Sequence, residues 1–305
     1  MKRITVLLAL LLAGLTAFAQ DMQTFQYAER DTLQLYLDFY SPESVNDSTI
    51  CLVYVFGGGF VGGHRDGEWE KAYFKQLVDE GFQVASIDYR LGLKGAKNLG
   101  VFNSKPLEDA VNMATEDAIS ALAYLLEHSN ELKINKEWVV MTGSSAGAIT
   151  SLQTDYAMCN GFLNADILPD DFRLAGVVSY AGAIFSHEGK VKYRNREPAP
   201  TMLYHGTADR LVPYKQIKFF KIGFIGTDAL VKRFGKCGYP YFARRFEGYG
   251  HSVAIGGPLT VDDLLWFCRH YVYGKEKIQV DGTYHNLDPE TMPKHDIYTV
   301  GDAYK

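Results

Sequence analysis

The stretch VVMTGSSAGAIT, residues 139–150, constrains the fold of this chain more than any other part of its sequence. An apolar, β-branched run leads into five small residues, and a helical pattern resumes after them. Such a turn suits a strand that passes into a helix so tightly that only small residues fit around the central position. That position is Ser145, framed by Gly143 and Gly147. The turn would expose the Ser145 hydroxyl at the end of the strand, where a nucleophile has to be.

Strand patterns and helix patterns alternate along most of the chain. The alternating segment LQLYLDFYS (33–41) indicates a half-buried antiparallel strand, and unbroken apolar runs indicate strands that are covered on both faces. The further strands are predicted in ICLVYVF (50–56), FQVASIDYR (82–90), WVVMTG (138–143), LAGVVSYAG (174–182), APTMLYHG (199–206) and PYFARRFEG (240–248). This order predicts an α/β fold in one domain, with a mostly parallel central sheet and helices on both faces.

Helical spacing of apolar residues occurs between these strands. Helices are predicted in EWEKAYFKQLVDEG (68–81), from Pro106 to Ser129, from the Ser145 turn to about Met158, in KQIKFFKIGFIG (215–226) and in GPLTVDDLLWFCRHYVYG (257–274). The remaining segment, residues 274–305, is polar with little periodicity, and we expect it to wrap the surface as a tail.

The first residues differ from everything that follows. Lys2 and Arg3 precede an apolar run from Ile4 to Leu15, and the A-x-A sequence Ala17–Ala19 comes next. This combination predicts a secretory signal peptide over residues 1–19, so the folded domain would span 20–273 and the protein would be exported to the periplasm or secreted. A membrane anchor is the alternative, but the run is shorter than the roughly 20 residues that a span needs.

Charge and cysteine content exclude several classes of partner. The formal net charge is −5, so no basic surface points to nucleic acid, and no membrane partner is indicated. An even number of cysteines in an oxidising compartment permits disulfides, with three possible pairings, while buried thiols explain the same residues equally well. These cysteines are Cys51, Cys159, Cys237 and Cys268. Neither they nor the histidines show the spacing of metal ligands, and no metal or cofactor is predicted.

A serine nucleophile needs a base that takes its proton and a third group that orients the base. In a doubly wound sheet these groups follow the carboxyl ends of the strands. Asp209 lies just past the strand at 199–206, and His251 follows the last strand. Taken singly, Asp209 resembles a turn residue and His251 a solvated one. Their order behind three strands predicts a triad of Ser145, Asp209 and His251. His64 and His205 flank the run of glycines at 57–59 and the Asp209 loop, where a supporting or simply structural role is expected rather than catalysis.

A second requirement is a set of donors for the charge that develops on the substrate's carbonyl oxygen. VYVFGGGFVGG (53–63) ends the first central strand with three glycines, where amides can approach a substrate closely. The backbone N–H of Gly58 or Gly59, together with that of Ala146, is the predicted oxyanion hole. The alternatives are a flexible turn or a phosphate cradle, and the latter requires G-x-x-x-x-G-K-[ST], which is absent.

Together these motifs resemble the α/β-hydrolase superfamily, specifically secreted bacterial carboxylesterases with an HGGG loop. The resemblance covers roughly residues 30–273 and is carried by FGGGF (56–60), DYRL (88–91), EDAISALAYL (116–125), GSSAG (143–147), HGTADRLVP (205–213) and EGYGHS (247–252). The chain departs from the family at Phe56, where a His usually braces the loop. Ser144 replaces the Asp or Glu of hormone-sensitive-lipase-like members, which favours the feruloyl-esterase-like branch.

The resemblance implies a serine carboxylic-ester hydrolase that works through an acyl-enzyme without a cofactor. Its substrate would be a small-molecule or oligosaccharide ester, such as an acetyl or feruloyl ester of plant polysaccharide. Phe60 and Phe219 are the candidate substrate contacts. For Phe219, burial under the C-terminal tail is the alternative.

Two other functions remain open at this stage. A serine peptidase of prolyl-oligopeptidase type shares the triad order, but such enzymes carry a large β-propeller, and only roughly thirty residues separate Ala19 from the first central strand. A catalytically inactive hydrolase fold that serves as a binding protein is the other. The presence of all three triad residues favours an enzyme.

Overall fold

A computed structural model describes residues 22–95, 104–293 and 296–297. The predicted signal peptide lies outside these residues. The strands are β1 (Met22–Arg30), β2 (Leu33–Tyr40), β3 (Cys51–Val55), β4 (Gln83–Ile87), β5 (Val139–Ser144), β6 (Gly176–Tyr180), β7 (Ala183–Ser186), β8 (Thr201–Gly206), β9 (Gln216–Phe219), β10 (Ile222–Gly226), β11 (Tyr241–Phe246) and β12 (Gln279–Tyr284). The helices are α1 (Glu68–Asp79), α2 (Lys105–Glu127), α3 (Ala146–Asn160), α4 (Thr227–Cys237) and α5 (Val261–Phe267).

In the described part of the chain, nine strands form one sheet in the order β1-β2-β4-β3-β5-β6-β8-β11-β12. The pairings of β2 with β1 and with β4 are antiparallel, and the others are parallel. Every residue of β3, β4, β5, β6 and β8 is buried, which explains why these strands are unbroken apolar runs in the sequence. The predicted antiparallel strand at 33–41 is β2, and the mostly parallel sheet agrees with the prediction.

The helices cover this sheet in two groups. In one group α2 packs against α3, and in the other α1 contacts the turn 257–259 that precedes α5. Aromatic residues fill the interface between α1 and the sheet, where the ring of Tyr54 on β3 lies 4.9 Å from that of Phe74 on α1. Helix α5 passes into a π-helical turn, Cys268–Tyr273, and ends at Gly274 as predicted. None of the described helices is long and apolar enough to cross a bilayer.

The predicted helix over residues 215–226 is wrong, because this segment is a hairpin of β9 and β10. Phe219 pairs with Ile222 and Ile217 with Phe224, so these four apolar side chains share one face of the hairpin. On a helix the same residues would occupy two faces. The turn lies between Phe219 and Ile222, and Phe220 adopts φ 52° there. β10 also pairs with β7, which completes a three-stranded antiparallel sheet.

The prediction that the tail after Gly274 only wraps the surface is also wrong. Residues Gln279–Tyr284 form β12, which pairs with β11 in parallel and extends the central sheet. The sheet therefore continues past the predicted domain boundary at residue 273. Most β12 side chains are exposed, so no apolar run marks this edge strand in the sequence.

All four cysteines are free thiols, and three of them are buried. Burial raises the pKa of the Cys51 thiol to about 12 and that of Cys268 still higher. Because the thiolate is the reactive form, these buried cysteines are chemically inert. The sequence left disulfides and buried thiols open as alternatives, and in the structure the thiols are unpaired.

Asp155 is a buried carboxyl group in the middle of α3. Its Oδ1 accepts hydrogen bonds from the Ala199 backbone N–H, at 3.3 Å, and from the Cys159 thiol. Burial raises the pKa of Asp155 to about 7, because these hydrogen bonds and the charge of Arg196 do not compensate for the lost hydration. The folded protein therefore holds this proton more tightly than the unfolded chain, where an Asp titrates near 3.9.

We expect Asp155→Asn to remove a pH dependence of stability. When a folded-state pKa is raised, the free energy of unfolding falls as pH rises from the unfolded pKa, about 4, to the folded value, about 7. Asparagine keeps the carbonyl acceptor and cannot ionise. Thermal melts should show the Tm of the variant rising relative to that of wild type across this range and then levelling off. The corresponding gain in the free energy of unfolding is a few kcal/mol at most. A difference that is constant with pH would show that Asp155 ionises equally easily in both states.

Candidate active site

Strand β5 passes directly into α3 at Ser145, with no loop between them. Ser145 has φ 54° and ψ −116°, a conformation that is strained for a residue with a Cβ. Its backbone N–H donates to the carbonyl oxygen of Tyr180 on the neighbouring strand β6, at 2.9 Å. This bond fixes the turn, which lifts the serine hydroxyl off the end of the sheet.

The two glycines around Ser145 are required by close backbone contacts. A Cβ on Gly147 would lie 1.9 Å from the carbonyl oxygen of Val55, and one on Gly143 would lie 2.4 Å from the carbonyl carbon of Gly147. Real Cβ atoms essentially never come closer than 3.0 Å to such atoms. Helix α3 thus begins in direct contact with the ends of β3 and β5. A side chain on Gly147 would push the helix from β3, and one on Gly143 would push it from β5. The turn is as tight as the sequence predicts.

The three residues of the predicted triad come together from three different strand ends. The Nε2 atom of His251 lies 2.7 Å from Ser145 Oγ, and its Nδ1 lies 2.7 Å from Asp209 Oδ2. Asp209 follows β8, and His251 begins a short 3₁₀ turn after β11. The side chain of Asp209 is fully buried, and only the outer edge of His251 reaches solvent. The imidazole is therefore held between a hydroxyl and a carboxylate, which is the arrangement that activates a serine.

Within the part of the chain that the structure describes, every polar contact to the Asp209 carboxylate comes from a hydrogen-bond donor. Its Oδ1 accepts from the backbone N–H groups of Leu211 and Val212, at 2.9 and 3.1 Å, and its Oδ2 faces His251 and His205. Burial by itself would raise the pKa of Asp209. The hydrogen bonds and charges of the two histidines outweigh burial and lower it below its usual range. Asp209 is therefore ionised and can stabilise a charged imidazole.

His205 is buried behind Asp209 and contacts it directly. Its Nε2 lies 3.2 Å from Asp209 Oδ2 and 3.1 Å from the carbonyl oxygen of Val212, and both of these atoms are acceptors. Nε2 therefore carries a hydrogen that points to these acceptors, and Nδ1 lies 2.9 Å from Thr227 Oγ1. His205 thus has the supporting role that the sequence predicts. His64, in contrast, is exposed, and its Nδ1 lies 2.9 Å from Asp66 Oδ1.

The glycine loop, residues 56–60, lies against the serine turn, residues 143–147. Gly58 and Gly59 have φ values of +115° and +63°, which favour glycine, and both residues are exposed. A Cβ on Gly57 would be 3.4 Å from the Cβ of Ser145, so loop and turn are in contact. Ala146 is the first residue of α3, where backbone N–H groups have no partner within the helix. Donors on two sides of Ser145 suit an oxyanion hole.

Phe56 holds this loop by aromatic stacking. Its ring lies 4.4 Å from that of Tyr89, nearly parallel to it, and the Tyr89 hydroxyl donates to the Phe56 carbonyl oxygen at 3.0 Å. Phe60 contacts the edge of the same tyrosine and is 2% exposed. The prediction of Phe60 as a substrate contact is therefore wrong, because its side chain is core and offers no surface. Phe219, the other predicted contact, lies half-buried on the β9–β10 hairpin.

The two remaining sequence motifs pair with each other beneath the glycine loop. In DYRL, Arg90 Nε donates to the buried Asp117 of EDAISALAYL at 2.9 Å, and Arg90 Nη2 donates to Glu116 at 2.9 Å. Arg30 on β1 also contacts Asp117. These ion pairs connect α2 to the end of β4, next to Tyr89. A salt bridge therefore holds the residue against which Phe56 stacks.

A cleft of about 580 Å³ lies at the far end of the sheet. It is lined by residues that precede four parallel strands, Trp138, Ala175, Pro200 and Pro240, and by Tyr271. The strands run away from this end toward Ser145, so the cleft does not belong to the triad. Among the described residues, no cluster of three or more His, Cys, Asp or Glu is suited to a metal ion.

Known proteins are similar to parts of this chain in sequence and to most of it in fold. A family model described as BD-FAE matches residues 37–183, which include the glycine loop and the serine turn but neither Asp209 nor His251. Carboxylesterase 5A of Mus musculus is 32% identical over 121 residues, which are 38% of this chain. The chain spans 19% of the length of that relative.

Solved structures of esterase 2 from Thermogutta terrifontis superpose on most of the chain. The form phosphoramylated by tabun is 19% identical, with a TM-score of 0.58, over 82% of this chain and 96% of that one. The propionate-bound form is 18% identical, with a TM-score of 0.60, over 84% and 95%. Likeness at this identity shows the fold. With the family match, it confirms the fold class and the resemblance that the sequence motifs indicate.

Proposed function

We propose that this chain, an α/β-hydrolase with the resemblance to carboxylesterases just described, is a serine ester hydrolase that acts through an acyl-enzyme. The observation that carries the proposal is the continuous hydrogen-bonded path from Ser145 through His251 to Asp209, with 2.7 Å at each step. This path starts at a strained turn that faces a glycine loop. Serine ester hydrolysis needs this combination of nucleophile, base, orienting carboxylate and oxyanion donors.

Each group has one role in the proposed reaction. Ser145 Oγ attacks the carbonyl carbon of the ester while His251 Nε2 takes its proton, and the negative oxygen is held by Ala146 N–H and Gly58 or Gly59 N–H. The intermediate collapses to the acyl-enzyme, and His251 returns the proton to the leaving alcohol. Water then repeats the sequence in place of the serine and releases the acid. Throughout, Asp209 holds the imidazole with its Nδ1 proton toward Oδ2.

The proposed substrates are small-molecule or oligosaccharide esters, in particular acetyl or feruloyl esters of plant polysaccharide. The solved structures with bound propionate and butyrate support a site for short acyl groups, and the carboxylesterase relative supports ester chemistry. Export to the periplasm or the medium is part of this proposal. It is supported by the charged, apolar and A-x-A regions of residues 1–19.

The β9–β10 hairpin is the proposed wall of the acyl site. It arises directly from the loop that carries Asp209, and its base is closed by the bonds from Gly226 N to Lys215 O and from Asp228 N to Tyr214 O. The apolar face of the hairpin is not fully covered, since Ile217 is 45% exposed. An apolar surface that begins next to the loop of Asp209 suits the acyl chain or aromatic ring of an ester.

We expect Phe219→Ala to raise KM for aromatic or long-chain esters and to leave acetate esters nearly unchanged. Losing a ring that contacts only large acyl groups weakens binding by roughly 1–3 kcal/mol for those substrates alone. Phe220→Ala is the matched control, because Phe220 lies next to it and is 82% exposed. An equal loss on every ester, with a lower Tm, would instead place Phe219 in the core.

The function itself is tested with the purified protein and a panel of substrates. The panel contains p-nitrophenyl esters of increasing chain length, methyl ferulate, acetylated xylan and a proline amide. Turnover of esters and not of the amide supports the proposal. Cleavage of the amide alone would indicate a peptidase of the prolyl-oligopeptidase type. Failure both to turn over any substrate and to react with a fluorophosphonate would indicate a binding protein.

A further inference from the structure

The C-terminal segment, residues 279–293 and 296–297, lies alongside β11 and then alongside the histidine loop, residues 247–252. Its first part is β12, which pairs with β11 residue by residue from Tyr241↔Gln279 to Phe246↔Tyr284. Arg245 on β11 donates to both carboxylate oxygens of Asp281, at 2.6 and 3.0 Å. A two-pronged ion pair of this kind fixes the register of the two strands.

The contact continues after both strands have ended. The backbone N–H of Glu247 donates to the Tyr284 carbonyl oxygen at 3.0 Å, and the Tyr284 ring contacts those of Phe246 and Tyr249. Asn286 Nδ2 then donates to the Tyr249 hydroxyl at 3.2 Å. The C-terminal segment thus contacts β11 and the histidine loop as far as Tyr249, the residue before Gly250.

At the histidine itself, three successive backbone N–H groups donate to this segment. Gly250 N–H and Ser252 N–H donate to the two carboxylate oxygens of Asp296, at 2.6 and 2.9 Å, and the Ser252 hydroxyl adds a third bond at 2.9 Å. Between them, His251 N–H donates to the Ile297 carbonyl oxygen at 2.6 Å. The backbone on both sides of His251 is therefore held by two residues of the C-terminal segment.

These bonds matter because the histidine loop supplies no such acceptors itself. His251 begins a 3₁₀ turn, and the first N–H groups of a helical turn have no partner within it. A carboxylate at this position satisfies them and is favoured by the turn's dipole. The imidazole must reach Ser145 and Asp209 at once, so a shift of its backbone by about 1 Å would cost on the order of 100-fold in rate.

We infer that Asp296 is a positioning residue for His251, and that the C-terminal segment is a working part of the active site. In the contacts that the structure describes, Asp296 reaches neither Ser145 nor Asp209, and it acts through the backbone of residues 250–252. The catalytic consequence rests on the proposed function, whereas the effect on the geometry of His251 does not.

The test uses the full chain with Asp296→Ala, Asp296→Asn and, as a matched control, Asp288→Ala. Asp288 lies in the same segment, and in the contacts that the structure describes its carboxylate accepts only from the N–H of Glu290, within its own turn. Per active site titrated with a fluorophosphonate, kcat should fall about tenfold or more for Asp296→Ala, while KM changes less than about threefold. Asp296→Asn, which keeps one acceptor oxygen, should fall less, and Asp288→Ala should stay within about twofold of wild type.

A second readout does not depend on turnover. The Nδ1 proton that His251 shares with Asp209 gives a downfield proton NMR resonance, which His251→Gln identifies by its loss. Asp296→Ala should broaden or abolish it, and Asp288→Ala should not. An unchanged resonance and an unchanged kcat per site, with only the Tm lowered, would overturn the inference. A wild-type protein that hydrolyses no ester and yet loses the resonance in Asp296→Ala would overturn the proposed function and support the positioning role.

Discussion

Ser145→Ala is expected to abolish ester hydrolysis and covalent labelling by a fluorophosphonate, and to leave the protein folded. The substitution removes the one oxygen that lies 2.7 Å from His251 Nε2, so no nucleophile remains at the base. In subtilisin the loss of the serine costs about 2 × 10⁶ in kcat, and an effect of this order is expected here. Because alanine retains the Cβ, the strained backbone at φ 54° is unchanged and the Tm should shift little.

The control for this variant is Ser144→Ala. Ser144 is the adjacent serine, and its side chain is buried at the end of β5, beside the glycine loop. We expect Ser144→Ala to keep its labelling and most of its activity. Peptide mapping of the labelled wild-type protein gives an independent check. A phosphonate found on Ser144, or labelling that persists in Ser145→Ala, would refute the assignment of the nucleophile.

Asp209→Asn should lower kcat by about four orders of magnitude, as the equivalent change does in serine proteases. The carboxylate faces donors on every side: Leu211 N–H and Val212 N–H at one oxygen, and two imidazole N–H groups at the other. An asparagine has to turn its own NH₂ toward one of these pairs. Facing the imidazoles, it would force His251 into the wrong tautomer. Facing the backbone, it would leave buried N–H groups without acceptors.

The measurement is kcat for a p-nitrophenyl ester at saturating substrate, and Asp262→Asn on the exposed start of α5 is the control. The lowered pKa of Asp209 adds a second expectation: the carboxylate stays ionised in mildly acidic solution, so its protonation does not limit activity there. A loss of less than about tenfold in Asp209→Asn would mean that another group orients His251.

The site could be predicted from the sequence because its chemistry lies at strand ends. A run such as WVVMTG identifies a buried strand, small residues identify the tight turn, and Asp209 and His251 follow their strands at once. The distances within the triad follow from parallel strands ending at one edge of the sheet. Local sequence therefore carried most of the information about the central sheet and the triad.

Other features lack a local signal. The β9–β10 hairpin turns at Phe220 and Lys221, whereas the turn of a tight hairpin usually contains Asn-Gly or a similar pair. The edge strands β1 and β12 are largely exposed and polar, so neither shows an apolar run. The burial of Phe60 depends on contact with Tyr89, and the role of Asp296 depends on a loop that is distant in sequence.

The aromatic stack behind the glycine loop has a consequence for the entropy of catalysis. Glycine loses more backbone freedom on folding than any other residue, so three consecutive glycines are an unfavourable choice for a loop that must be still. With Phe56 stacked on Tyr89, and the Tyr89 hydroxyl bound to the Phe56 carbonyl oxygen, the ordering happens once, as the protein folds. The amides are then already aimed when a substrate arrives, and no part of the binding energy is spent on freezing them at each turnover.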